Sequence, residues 1–110
     1  MAVDAVLADR VRRAVSDQQD VREVRMFGGL AFMVDGAMVV AVSGKGGLMV
    51  RCDPARAGEL VAAEGVERMV MRGRELDGWL LVAPDVLDDD AALRSWVAVG
   101  RAATESLQNR

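Results

Sequence analysis

Val21-Arg22-Glu23-Val24-Arg25-Met26-Phe27-Gly28-Gly29-Leu30-Ala31-Phe32-Met33-Val34-Asp35-Gly36-Ala37-Met38-Val39-Val40-Ala41-Val42 is the stretch that decides the fold class. Leu30–Val34 and Ala37–Val42 are short apolar runs, and the Asp35-Gly36 pair between them is a strong type I′ hairpin signal. Ser43-Gly44-Lys45-Gly46-Gly47 forms a second turn and leads into Leu48-Met49-Val50-Arg51-Cys52. Runs joined by turns this tight predict an antiparallel meander of three strand runs, entered through Val21–Phe27.

Helical signals lie on both sides. Val3, Val6, Leu7, Val11, Ala14 and Val15 make one apolar stripe, with Asp9, Arg10, Arg12 and Arg13 mostly outside it. Asp53-Pro54 marks a helix start, with Asp as N-cap and Pro in the first turn, and Gly65 is placed to close that helix. Val66–Met71 and Trp79–Val82 read as strands around a polar turn, Arg72–Gly78. Asp88-Asp89-Asp90 then precedes a helix lined by Leu93, Trp96, Val97 and Gly100. The expected class is α+β, in the order α-β3-α-β2-α, with helices packed on a mainly antiparallel sheet.

A chain of 110 residues, 52% of them hydrophobic, fits one domain over 1–110 with a core of its own. Its longest apolar windows run to about ten residues, short of the roughly 20 that a membrane helix needs. Met1-Ala2-Val3-Asp4 opens no secretory signal. Cys52 is the sole cysteine, so no internal disulfide can form, which suits a cytoplasmic location. The net charge of −3 opposes an electrostatic grip on a phosphate backbone. Histidine and tyrosine are absent, which removes imidazole bases, Ser-His and Cys-His pairs and histidine metal ligands. The chain reads as a non-enzyme without a cofactor.

Several local features carry a chemical reading that a structural one outweighs. Gly28-Gly29 lies between strands rather than between a strand and a helix, so it reads as a tight turn or bulge needing positive φ, not a phosphate cradle. The methionines at 26, 33, 38, 49, 69 and 71, with Cys52, contain the soft donors that Cu(I) prefers. Spread along strands, they read instead as fillers of irregular core gaps. Cys52 follows Arg51 and precedes a helix start, which favours a thiolate, but a small residue at a strand end is the simpler account. Asp88-Asp89-Asp90 lacks the spacing of a calcium loop and reads as helix capping. Arg68, Arg72 and Arg74 are interleaved with Glu67, Glu75 and Asp77, as on a solvated hairpin tip.

Val24-Arg25-Met26-Phe27-Gly28-Gly29-Leu30-Ala31-Phe32-Met33, followed by Asp35-Gly36 and by Leu48-Met49-Val50-Arg51, resembles the N-terminal domain of the TfoX/Sxy family of bacterial competence regulators. The likeness continues through Met71-Arg72-Gly73, Gly78-Trp79 and Trp96-Val97, over nearly the whole chain. It implies a helix-flanked antiparallel sheet and a link to the control of DNA transformation. Full-length regulators of the family carry a second, C-terminal helical domain, so the resemblance implies a stand-alone N-terminal domain here. It brings no agreed catalytic residues.

The expected function is therefore a cytoplasmic regulatory module that binds a protein, with a transcription component as one class of partner. The alternative is a small-molecule or anion site at Arg25, Phe27, Gly28, Gly29 and Arg51, where arginines beside exposed backbone N–H groups suit carboxylate or phosphate. Arg25 and Arg51 both interrupt apolar runs; Glu23, Asp53 and Asp77 are the carboxylates expected to pair with them if they are structural. An exposed edge strand of the meander also permits a homodimer across a two-fold axis. With its negative charge and no recognition helix, the purified protein should protect no defined duplex sequence at physiological salt. A footprint of a defined site by this chain alone would contradict that.

Overall fold

The computed structural model describes residues 4–18, 20–26, 28–44 and 46–108. Helix α1 (Ala5–Ala14) starts at Asp4, whose carboxylate accepts from the backbone N–H groups of Val6 and Leu7, both at 3.1 Å. That satisfies two of the donors a helix N-terminus leaves unpaired. Four strands follow: β1 (Val21–Met26), β2 (Gly29–Val34), β3 (Ala37–Val42) and β4 (Leu48–Arg51). A 3-10 turn at Pro54–Arg56, capped by Asp53 on the Ala55 N–H, opens into the short α2 (Ala57–Leu60). Strands β5 (Val66–Met71) and β6 (Arg74–Val82), a 3-10 turn at Pro84–Asp88 and the long α3 (Asp90–Gln108) complete the chain.

The α+β class, the succession of helical and strand segments and the antiparallel sheet are as the sequence predicts, but one strand is added. The count before α2 is four strands rather than three, because the tight turn is the reading of Gly28-Gly29 that holds, not the bulge. The chain reverses fully between Met26 and Gly29, which pair as the ends of β1 and β2. All six strands join one antiparallel sheet in the order β1-β2-β3-β4-β6-β5. Asp35 and Gly36 both have positive φ, 53° and 82°, as a type I′ hairpin requires. Arg72 and Gly73 do the same between β5 and β6, at 54° and 76°. The predicted seven-residue turn is thus a two-residue one, and Arg74–Asp77 belong to β6.

All three helices pack against one face of the sheet. Leu7, Val11 and Val15 at α1, Ala57 of α2, Leu87 before α3, and Leu93 and Val97 on α3 share a core with Phe32, Val34, Val40, Val42, Leu48, Val50, Leu80 and Val82. Between β2 and β3 the register slips, Phe32 facing Val40 and Met33 facing Met38, so Val39 is an extra residue in β3. Gly100 of α3 lies directly on it. A Cβ there would stand 2.5 Å from the Val39 carbonyl oxygen and 2.9 Å from its Cγ1.

The two glycines of the first reversal are needed for different reasons. Gly28 has φ of 73° with open space around a would-be Cβ, whereas Gly29 is outside the left-handed region. Gly29 is demanded by proximity instead, since a Cβ would run into the carbonyl oxygen of Val42. The sequence expectation of positive φ therefore holds at Gly28 and fails at Gly29. Gly28→Ala should cost about 1–2 kcal/mol, the strain of a left-handed residue. Gly29→Ala should cost more, about 2–3 kcal/mol or above, because backbone must shift in a packed sheet. Chemical denaturation of both variants checks the ranking, and equal losses would contradict it.

Candidate functional site

The residues singled out from sequence do not converge. Arg25 sits on the edge strand β1 opposite Leu30, exposed and without a salt bridge among the described residues. Arg51 ends β4, three strands away across the sheet. Leu30 pairs with Val42, and Val42 with Leu48, so Arg25 aligns with the start of β4 and Arg51 with its end. At about 4.8 Å per strand and 3.3 Å per residue the two are roughly 17 Å apart. Gly28 and Gly29 lie at the Arg25 end; Phe27 is outside the described residues. One pocket cannot use both arginines.

Neither arginine meets the expected carboxylate. Glu23 is held by Arg12 of α1, with Nη2 2.7 Å from Oε1 and Nε 2.5 Å from Oε2, and the guanidinium holds that carboxyl below its ordinary range. Asp53 caps its turn. Arg51 lies over Trp79, its cross-strand partner on β6, with the guanidinium carbon 5.2 Å from the ring centroid. A cation over an aromatic face explains a half-buried arginine without an ion pair. Cys52 is buried, and burial pushes its thiol up, away from the thiolate reading. A cavity of about 340 Å³ beside it is lined by Arg51, Asp53, Pro54, Asp77, Gly78 and Ala103.

What the structure does bring together is the other face of the sheet. Side chains alternate along a strand, so the residues between those of the core point away from the helices. On β1 these are Arg22, Val24 and Met26; on β2, Ala31 and Met33; on β4, Met49 and Arg51; on β6, Trp79 and Leu81. Ala41 and Met38 of β3 join them, opposite Ala31 and Met33. Ala31 and Ala41 are buried as a floor, while Met33, Met38, Met49, Trp79 and Leu81 are half-buried and Val24 is 38% exposed. None of these apolar residues belongs to the helix-covered core.

The methionines at 26, 33, 38 and 49 thus lie outside the core they were expected to fill. β-Branched valines and leucines fill that space. A sequence signal for this face did exist. Antiparallel strands with one face in water alternate apolar and polar residues, yet Leu30–Val34 and Ala37–Val42 contain no polar residue at all.

Because Arg51 stacks rather than pairs, Arg51→Ala should cost about 1 kcal/mol. Breaking a buried ion pair would cost 3–5 kcal/mol. Urea denaturation separates the two, and a loss above about 3 kcal/mol would contradict the stacked arrangement.

No curated protein and no solved structure matches this chain. The family model described as TfoX N-terminal domain matches residues 13–104, from the end of α1 to near the end of α3. That span holds the whole sheet and both of its faces, and the chain belongs to the TfoX N-terminal domain family.

Proposed function

We propose that this chain is a non-enzymatic, cytoplasmic regulatory module that binds a protein partner through the open face of its sheet. One observation carries the reading: β2 and β3 are apolar on both sides, and the described helices cover only one. Apolar surface gathered in one patch favours association, since water is released when it is covered. Methionine suits such a surface because its unbranched, polarizable side chain adapts to a partner's shape.

The partner class follows from family and charge. Membership of the TfoX N-terminal domain family suggests a role in the control of competence, with a component of the transcription apparatus as the protein bound. The net charge of −3 supports protein rather than the DNA backbone as the contact. No helix among the described residues is long and apolar enough to cross a membrane.

The test is a pull-down from the native host with tagged wild-type chain, Val24→Lys, Met49→Lys and, as a control on the helical side, Val6→Lys, at a residue 71% exposed. Wild type and Val6→Lys should retain a stoichiometric protein that the two open-face variants lose, with melting temperatures within a few degrees of each other. Retention of that protein by Met49→Lys and Val24→Lys would contradict the proposal.

A further inference from the structure

On the helical side, remote from the open face, α1 and α3 enclose a cavity of about 340 Å³ lined by Arg10, Arg13, Ala14, Asp90, Leu93 and Arg94. Three guanidiniums thus surround one carboxylate, in a chain whose charge is otherwise in acidic excess. Arg10 is occupied. Its Nη2 donates to the Leu87 carbonyl at 2.5 Å and to Asp90 Oδ1 at 2.7 Å, and its Nε reaches the same carboxylate oxygen at 3.1 Å. These bonds tie α1 to the start of α3 and fix one wall of the cavity.

Arg13 and Arg94 are different. Both are exposed, Arg13 on α1 and Arg94 on α3, and neither guanidinium has a salt bridge or hydrogen bond with a described residue; the Arg13 carbonyl accepts from Ser16. The charges acting on Asp90 are those of Arg10, Arg94 and Arg13, which hold its carboxyl below the ordinary range. Asp90 is already bound by Arg10, which leaves the guanidinium donors of Arg13 and Arg94 to meet a ligand. Ala14 and Leu93 supply apolar lining. We propose that this cleft binds a compact oxyanion, a small molecule carrying a phosphate or carboxylate group, gripped between Arg13 and Arg94.

Residue type and surroundings narrow the ligand. Arginine presents a planar fork of donors that matches two oxygens of a phosphate or carboxylate at once. Just before α3, Asp89 is committed to capping the Ala91 N–H at 3.0 Å. The chain's net charge of −3 opposes a long polyanion such as nucleic acid, while a group with one or two charges fits between the arginines. The inference is independent of the open-face proposal, which concerns the opposite side of the sheet.

Thermal unfolding in inorganic phosphate and in malonate, each against chloride at matched ionic strength, tests it. A bound anion stabilises the folded state by mass action, so the wild-type melting temperature should rise saturably by several degrees in the low-millimolar range. Arg13→Gln/Arg94→Gln should melt as wild type does in chloride and lose the rise. The double variant also subtracts the unsaturable stabilisation that phosphate gives by exclusion from protein surfaces. A rise in phosphate alone assigns a phosphoryl group to the ligand, and a rise in malonate assigns a carboxylate. No rise with either anion, an equal rise in the double variant, or a rise produced by duplex DNA alone would overturn the proposal.

Discussion

A β-sheet has two faces, and the helices described in this chain lie on one of them. Everything else in the structure is arranged around that inequality. α1, α2 and α3 share a single side because the chain alternates valine and leucine towards it, from Val34, Val40 and Val42 to Leu80 and Val82. Burial of those rows supplies the main drive to fold. Gly100 lets the backbone of α3 settle onto β3, so that the helix is laid on the sheet rather than held off it. Polar ties then lock the helices at the margins. Arg101 joins α3 to the β2–β3 turn through Asp35 at 3.0 Å, and Arg10 joins α1 to the start of α3. Such partly exposed pairs add little stability each.

Much of this was legible in the residues. Asp35-Gly36 announced its turn because few residues tolerate two successive positive φ angles, and Asp53-Pro54 announced a helical turn because its carboxylate can cap and its ring cannot continue a ladder. The glycine pair was harder. The two residues look alike in sequence, but Gly28 answers a backbone angle and Gly29 answers a neighbour, Val42, thirteen positions on. Only the fold reveals that neighbour, and with it the reversal that makes four strands of three.

Site residues were less legible, for a related reason. Arg25 and Arg51 stood out as cations in apolar runs, and the natural expectation was a carboxylate for each. Trp79 is far from Arg51 in sequence and becomes its partner only through the pairing of β4 with β6. Arg13 and Arg94 drew no notice because each looks like an ordinary exposed residue on its own helix. Their meaning comes from α1 and α3 lying side by side. The methionines misled in the opposite way: apolar residues in strands suggest a core, but a strand has two faces and the helices reached only one.

Two surfaces of different chemistry result, an apolar sheet face and an arginine-lined cleft between helices. The central claim concerns the first. Photoreactive methionine incorporated into the tagged chain in its native host, followed by irradiation and peptide mapping, reads it residue by residue. The account predicts cross-links to another protein at Met33, Met38 and Met49. The absence of a cross-link to another protein from all three would contradict it.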